Sequence, residues 1–240
     1  FIHDVALQNL QVLFAIDRAG LVGADGATHA GSYDLSYLRC VPNMTIMVPK
    51  DEFECRSMLS TALLIEGPSA VRDPRGSGLG ISINRKSKIG TLKIGKAEVC
   101  RNITIDNSKP GKQKIQKVAF LAFGSMVNPC LEVGEKIDAT VVNMRFVKPI
   151  DAEQLRELID YDLLVTVEEN VIAGGAGTAC AEALTEISKL YKKPFKIPKL
   201  LHLGLPDRFI DHGDAKELLS IEGLDADGIL RSVKSAIRLL

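Results

Sequence analysis

At 240 residues, 46% hydrophobic and 25% charged, the chain has the apolar material of an ordinary globular protein and room for one large or two small domains. Thirty Lys and Arg balance thirty Asp and Glu, so nothing favours nucleic acid or an anionic membrane globally, and no apolar run is long enough to span a bilayer. Five scattered cysteines (Cys40, Cys55, Cys100, Cys130 and Cys180) contain no CxxC pair, and their odd number points to a reducing compartment rather than a disulfide framework.

The chain starts at Phe1, and Ile2, Val5, Ala6 and Leu10 keep helical spacing from the outset. Phe1–Leu10 therefore reads as a helix already under way, and the chain as a piece of a longer protein. Val12–Ile16 is an apolar run closed by the charged pair Asp17-Arg18, a buried strand. It leads into Gly23-Ala24-Asp25-Gly26-Ala27-Thr28-His29-Ala30-Gly31, whose glycines suit a tight loop and whose Asp25 and His29 supply an acid and an imidazole. A short helix over 34–39, a strand over 44–48 stopped by Pro49, a helix from Asp51-Glu52 to about Ile65 and a strand over 69–72 follow. Strands alternating with helices predict parallel crossovers and a doubly wound α/β sheet.

Residues 77–90 turn to Gly, Ser, Arg and Lys and read as a linker, dividing the chain into domains at 1–80 and 81–240. The second block alternates again, with strands over 95–100, 117–123, 139–144, 163–167 and 200–205 and helices over 129–136, 151–161, 178–190 and 225–240. The lysine-rich 102–116 stretch reads as a long hairpin loop between two of these strands.

Several motifs have a structural and a functional meaning. Gly174-Gly175-Ala176-Gly177 lacks GxGxxG spacing and a Walker lysine, so close helix–strand packing explains it better than phosphate binding. Glu168 and Glu169 are adjacent strand residues that face opposite ways; a cap, or a contact to a neighbouring domain or subunit, fits them better than a catalytic pair. His3, His202 and His212 have no partner pattern, and no spacing suggests a metal site. Arg72 and Arg75 flank Asp73-Pro74 at one strand end and Arg18 stands at another, an arrangement open to gripping a phosphate or to ordinary ion pairing.

Residues 23–29 resemble the Gly-x-Asp-Gly-x-Thr-His loop of the transketolase superfamily of thiamine diphosphate enzymes. Within it, residues 15–20 (AIDRAG), 34–40 (DLSYLRC), 67–72 (GPSAVR), 144–149 (MRFVKP) and 167–170 (VEEN) are similar to the 1-deoxy-D-xylulose-5-phosphate synthases, in the same order. The resemblance runs nearly end to end, apart from 102–116. It implies a pyrimidine-binding-type domain, truncated at its start, followed by a transketolase C-terminal-type domain. It implies a homodimeric transferase, cytoplasmic or in the plastid stroma, that uses thiamine diphosphate and Mg²⁺. That enzyme condenses pyruvate with D-glyceraldehyde 3-phosphate, losing CO₂, on the way to isoprenoids and thiamine.

By position, the resemblance makes His29 the group that handles protons, Asp25 the residue that orients the acceptor's hydroxyls, and Arg18 and Arg75 the acceptor's phosphate ligands. The glutamate that activates the cofactor, the aromatic residue that stacks on it and the metal–diphosphate site would precede Phe1, so the expected piece is inactive and binds little cofactor. Two positions depart from the family pattern: Asp73 stands where tyrosine is common, and Ala30 where glutamine is. Transketolase, a 2-oxoacid dehydrogenase β subunit and a non-catalytic α/β module remain the alternatives.

Overall fold

The structure, a computed structural model, describes residues 1–81, 90–104, 116–190 and 197–239. The predicted linker and the predicted 102–116 loop lie largely outside these residues. Among the described residues the strands form two sheets. The first combines β1 (Leu13–Ala19), β2 (Thr45–Met47), β3 (Ser69–Pro74) and β7 (Phe146–Lys148) in the order β1-β3-β2-β7. The second combines β4 (Glu98–Arg101), β5 (Val118–Ala122), β6 (Thr140–Asn143), β8 (Leu163–Val171) and β9 (Lys199–Leu205) in the order β4-β6-β5-β8-β9. Pairing is parallel except at β2–β7 and β4–β6. The central strands β5 and β8 are buried along their whole length; β5 and the first three residues of β8 read as apolar runs, while β8 also buries Thr166, Glu168, Glu169 and Asn170.

Seven helices join these strands among the described residues: α1 (Asp34–Arg39), α2 (Glu52–Ala62), α3 (Val127–Ile137), α4 (Ala152–Glu157), α5 (Ala176–Lys189), α6 (Ala215–Ile221) and α7 (Ala226–Ile237). Aspartates open four of them. Asp51, Asp151, Asp214 and Asp225 each accept from backbone amides of the first turn that have no intrahelical partner.

The structure corrects several expectations. Phe1–Leu10 forms only one wide turn over Ile2–Ala6, because Asn9 takes a left-handed φ of 51° and ends it. The Asn9 and Gln11 amides then donate to Glu66 O at 3.3 Å and Leu63 O at 3.0 Å, fastening the segment to the end of α2. The strand expected to stop at Val167 continues to Val171, and the helix expected over 151–161 is helical only to Glu157. β4 and β5 are not hairpin partners, because β6 lies between them. Neither β7 nor α6 was foreseen.

β7 has the largest consequence. It leaves the second block and pairs with β2, burying Phe146 completely among Met47, Met58 and Val71 on the α2 side of the first sheet. On that sheet's other side one apolar cluster runs from Leu35, Ile46 and Ala70 through Phe123 and Met144 to Leu164 and Leu184. The two blocks share a core and pack as one body.

Candidate active site

β1 reaches the carboxyl edge of the first sheet through a bulge, since register with β3 slips between Ile16 and Ala19 and Arg18 adopts φ 59°. Such a bulge re-aims a side chain, and a non-glycine residue held left-handed is a strained feature found where function needs it. The chain then forms a loop with a closed neck. Gly20 N–H donates to Gly31 O at 2.9 Å, and Gly31 N–H to Arg18 O at 3.0 Å. A Cβ on Gly31 would sit 2.5 Å from Arg18 O, so only glycine allows this approach.

Within the loop, Gly26 N–H donates to Gly23 O and His29 N–H to Gly26 O. His29 is exposed, with Nδ1 3.0 Å from Thr28 Oγ1. A neutral imidazole so engaged has Nε2 as its second polar atom, the one suited to exchanging a proton with a ligand. The loop rests on the second block: Gly213 N–H donates to Gly23 O at 3.2 Å, Gly26 lies against His212, and Tyr33 meets Phe209 edge-on. This backing by residues 209–213 had no local sequence signal.

The three arginines have different fates. Arg72 is buried and engaged by three acceptors: Nε donates to Asp34 Oδ2 at 2.7 Å, and Nη2 to Gly31 O at 2.5 Å and Glu169 O at 2.9 Å. It is a bracket between the two blocks, buried rather than presented to a ligand. Arg75 is half exposed, pairs with the Asp25 carboxylate and approaches Val22 O. Arg18 is also half exposed and pairs with Asp17. The register places Arg18 and Arg75 on either side of the Ala19–Pro74 pair, one sheet edge shared by both cations. Burial, then the neighbouring charge of Asp17, pushes the Asp73 carboxyl above its ordinary range.

Glu168 and Glu169 face opposite ways. Glu168 accepts from Ala176 N–H at 2.7 Å and Gly177 N–H at 2.8 Å, capping α5 at its positive end. Burial nevertheless pushes its carboxyl up to about 7. Glu169 turns to the other side, toward the first block. A Cβ on Gly175 would meet Glu168 Oε2 at 2.4 Å, and one on Gly177 would meet Thr166 Oγ1 at 2.4 Å, so the Gly174–Gly177 run serves close packing. His202 bonds Thr166 Oγ1 at 2.7 Å within the second sheet, away from the loop.

A cavity of about 720 Å³ opens beside this edge, lined in part by Cys55, Leu59, Arg75, Ser125 and Glu169. Burial first, then the charges of Asp73 and Asp51, pushes the Cys55 thiol up to about 11, so it is not a nucleophile at neutral pH. No cluster of three metal-binding side chains occurs among the described residues. The cations at the edge are already engaged by carboxylates. These residues do not by themselves fit a metal-bound diphosphate cofactor, since no cluster among the described residues would hold its metal.

Comparison with known proteins places both blocks. Residues 1–78 match the family model of the transketolase pyrimidine binding domain, and residues 111–229 that of the transketolase C-terminal domain. A split-gene transketolase, solved as an inactive β4 tetramer, superposes with a TM-score of 0.77 at 30% identity, covering 99% of this chain and 70% of that one. The chain belongs to the transketolase family.

Among curated transketolase-family proteins, the 1-deoxy-D-xylulose-5-phosphate synthase of Nitrosomonas europaea is 55% identical over 239 residues, or 99% of this chain and 36% of its own length. The chain thus spans about a third of such relatives. The transketolase of Campylobacter jejuni shares the fold, with a TM-score of 0.66 at 20% identity over 96% of this chain and 32% of its own.

Proposed function

We propose that this chain is the carboxyl-terminal part of a thiamine diphosphate-dependent synthase. That enzyme would join pyruvate to D-glyceraldehyde 3-phosphate, releasing CO₂, to form 1-deoxy-D-xylulose 5-phosphate at the start of non-mevalonate isoprenoid synthesis. On this reading 1–80 is the pyrimidine-binding part, 81–240 the C-terminal part, and the whole enzyme a homodimer outside any membrane. The observation that carries the reading is the pairing of Arg75 with Asp25 on the loop of His29. In a three-carbon phosphorylated hydroxyaldehyde the phosphate lies a few bonds from the hydroxyl and carbonyl, so its cation and its acid must be neighbours. The 55% identity to a named synthase supports the same substrate.

In this proposal the phosphate draws Arg75 from Asp25 and meets Arg18 from the other strand, a two-guanidinium grip. Asp25, released, accepts from the acceptor's hydroxyl and fixes its orientation. His29 Nε2 delivers a proton to the oxygen that becomes an alcohol as the carbon–carbon bond forms. The cofactor, held with Mg²⁺ by the rest of the enzyme, supplies the means of losing CO₂ from pyruvate while keeping its electron pair.

The test is to assay the full-length protein with pyruvate and D-glyceraldehyde 3-phosphate, following deoxyxylulose phosphate and CO₂; formation of neither product rejects the proposal. The 240 residues alone are expected to show no turnover and no tight thiamine diphosphate binding by calorimetry. A second reading, transketolase, is favoured by the likeness to the split-gene protein. Turnover of ketose phosphate donors in place of pyruvate distinguishes it.

A further inference from the structure

Glu169 belongs to β8, in the second block, yet its carboxylate lies under the neck of the loop in the first. Oε1 accepts from Leu21 N–H at 2.9 Å, and Oε2 accepts from Ser125 Oγ, also at 2.9 Å. The fit is close. Gly20 has φ 72°, and a Cβ there would fall 2.2 Å from Glu169 Oε1, so the backbone is pressed onto the carboxylate. The main-chain oxygen of Glu169 accepts from Arg72 Nη2 at 2.9 Å, and the same nitrogen holds Gly31 O at 2.5 Å. Both ends of the loop that carries Asp25 and His29 are therefore tied to this one residue, at Leu21 through its side chain and at Gly31 through its backbone and Arg72.

We propose that Glu169, set in place by Ser125, is the positioning residue of the 20–31 loop, so that the second block fixes the depth and aim of Asp25 and His29. The residue touches neither substrate nor reacting atoms. What position 169 must supply is an acceptor for the buried Leu21 amide, and the Ser125 hydroxyl, donating to the other oxygen, holds that side chain in place. With Glu169 removed, the Leu21 amide is buried without a partner, and the loop gains an alternative in which that amide reaches water. The consequence for catalysis rests on the proposed function; the positioning itself does not.

The experiment compares Glu169→Ala, Glu169→Gln and Ser125→Ala in the full-length protein by amide hydrogen exchange, alongside acceptor kinetics. In Glu169→Ala the Leu21 amide and its loop neighbours should exchange about tenfold faster or more, the factor for losing one buried hydrogen bond. KM for the aldehyde should rise while KM for pyruvate holds. Glu169→Gln, which keeps an acceptor for Leu21, should recover most of the protection and of the aldehyde KM. Ile65→Val, in the cluster around Met58 and Phe146 that includes no residue of the loop, controls for global loss of stability and should leave the loop unchanged.

Unchanged Leu21 protection in Glu169→Ala overturns the proposal, as does equal acceleration in Ile65→Val. If Glu169→Ala does not fold, Ser125→Ala decides: selective acceleration across 20–31 supports the proposal, and none rejects it. Faster exchange in an enzyme that makes no deoxyxylulose phosphate would keep the positioning role and reject the proposed reaction, so the two fail separately.

Discussion

The guanidinium of Arg75, on the turn after β3, is ion-paired with the carboxylate of Asp25 in the glycine loop, though fifty positions separate them in sequence. The pairing leaves the edge self-neutralised, and on the proposed reading an arriving phosphate would open it. Because both side chains are partly exposed, it contributes little to stability. Its value lies in holding a cation and an acid ready at one place.

Arg75→Ala in the full-length enzyme should therefore raise KM for the phosphorylated aldehyde by about tenfold or more, the worth of a charge-assisted hydrogen bond, with a smaller change in kcat. Unphosphorylated glyceraldehyde should lose nothing. Steady-state kinetics with both acceptors checks this, and an equal loss on the two would remove Arg75 from the phosphate site. Arg72→Lys should instead lower the melting temperature without discriminating between acceptors, since Arg72 is spent on Asp34, Gly31 and Glu169.

His29→Asn should lower kcat by about 10²–10⁴, the usual range for removing a proton-transfer group, with acceptor KM little changed. A variant that kept near wild-type kcat would move proton transfer to another residue.

Glu168 makes stability depend on pH. Its carboxyl is raised from 4.5 to about 7 by burial, so below 4.5 the folded and unfolded states both hold the proton. Between 4.5 and 7 only the folded state keeps it, and stability falls as pH rises through that window. The full shift amounts to about 3 kcal/mol, lost by pH 7 and flat above it. Glu169, also raised by burial, acts in the same direction. Denaturant titrations from pH 4.5 to 8 should show this decline, and Glu168→Gln should flatten it. A wild-type stability that climbs with pH across this window would contradict the assignment.

Phe146→Ala should cost about 3–5 kcal/mol, as for other large aromatic side chains removed from a core. Because Phe146 enters the first sheet from the second block, both blocks should lose stability together in one transition. Calorimetry resolving two transitions, only one of them shifted, would show that the blocks unfold independently.

Much of the fold was legible locally. Apolar runs marked the central strands, because a strand buried on both faces needs no polar alternation. The two glutamates were readable as a cap and a contact between blocks, since neighbouring strand residues must face opposite ways. α6 carried an overlooked signal in Asp214 followed three residues later by Glu217, a capping pattern on a helix with no buried residue. β7 is three residues long, too short for any period to show, and its partner β2 lies about a hundred positions earlier.

The order of residues alone set the glycine loop after a strand, the acid and imidazole within it, and the alternation that makes an α/β protein, because these depend on backbone freedom and local periodicity. Only the folded chain could sort three similar arginines, burying Arg72 as a bracket and leaving Arg18 and Arg75 at the surface. Only the folded chain could bring Glu169 of one block beneath Gly20 of the other. Burial and long-range pairing decide which charges are spent on structure and which remain for a substrate, and neither is a property of neighbouring residues in sequence.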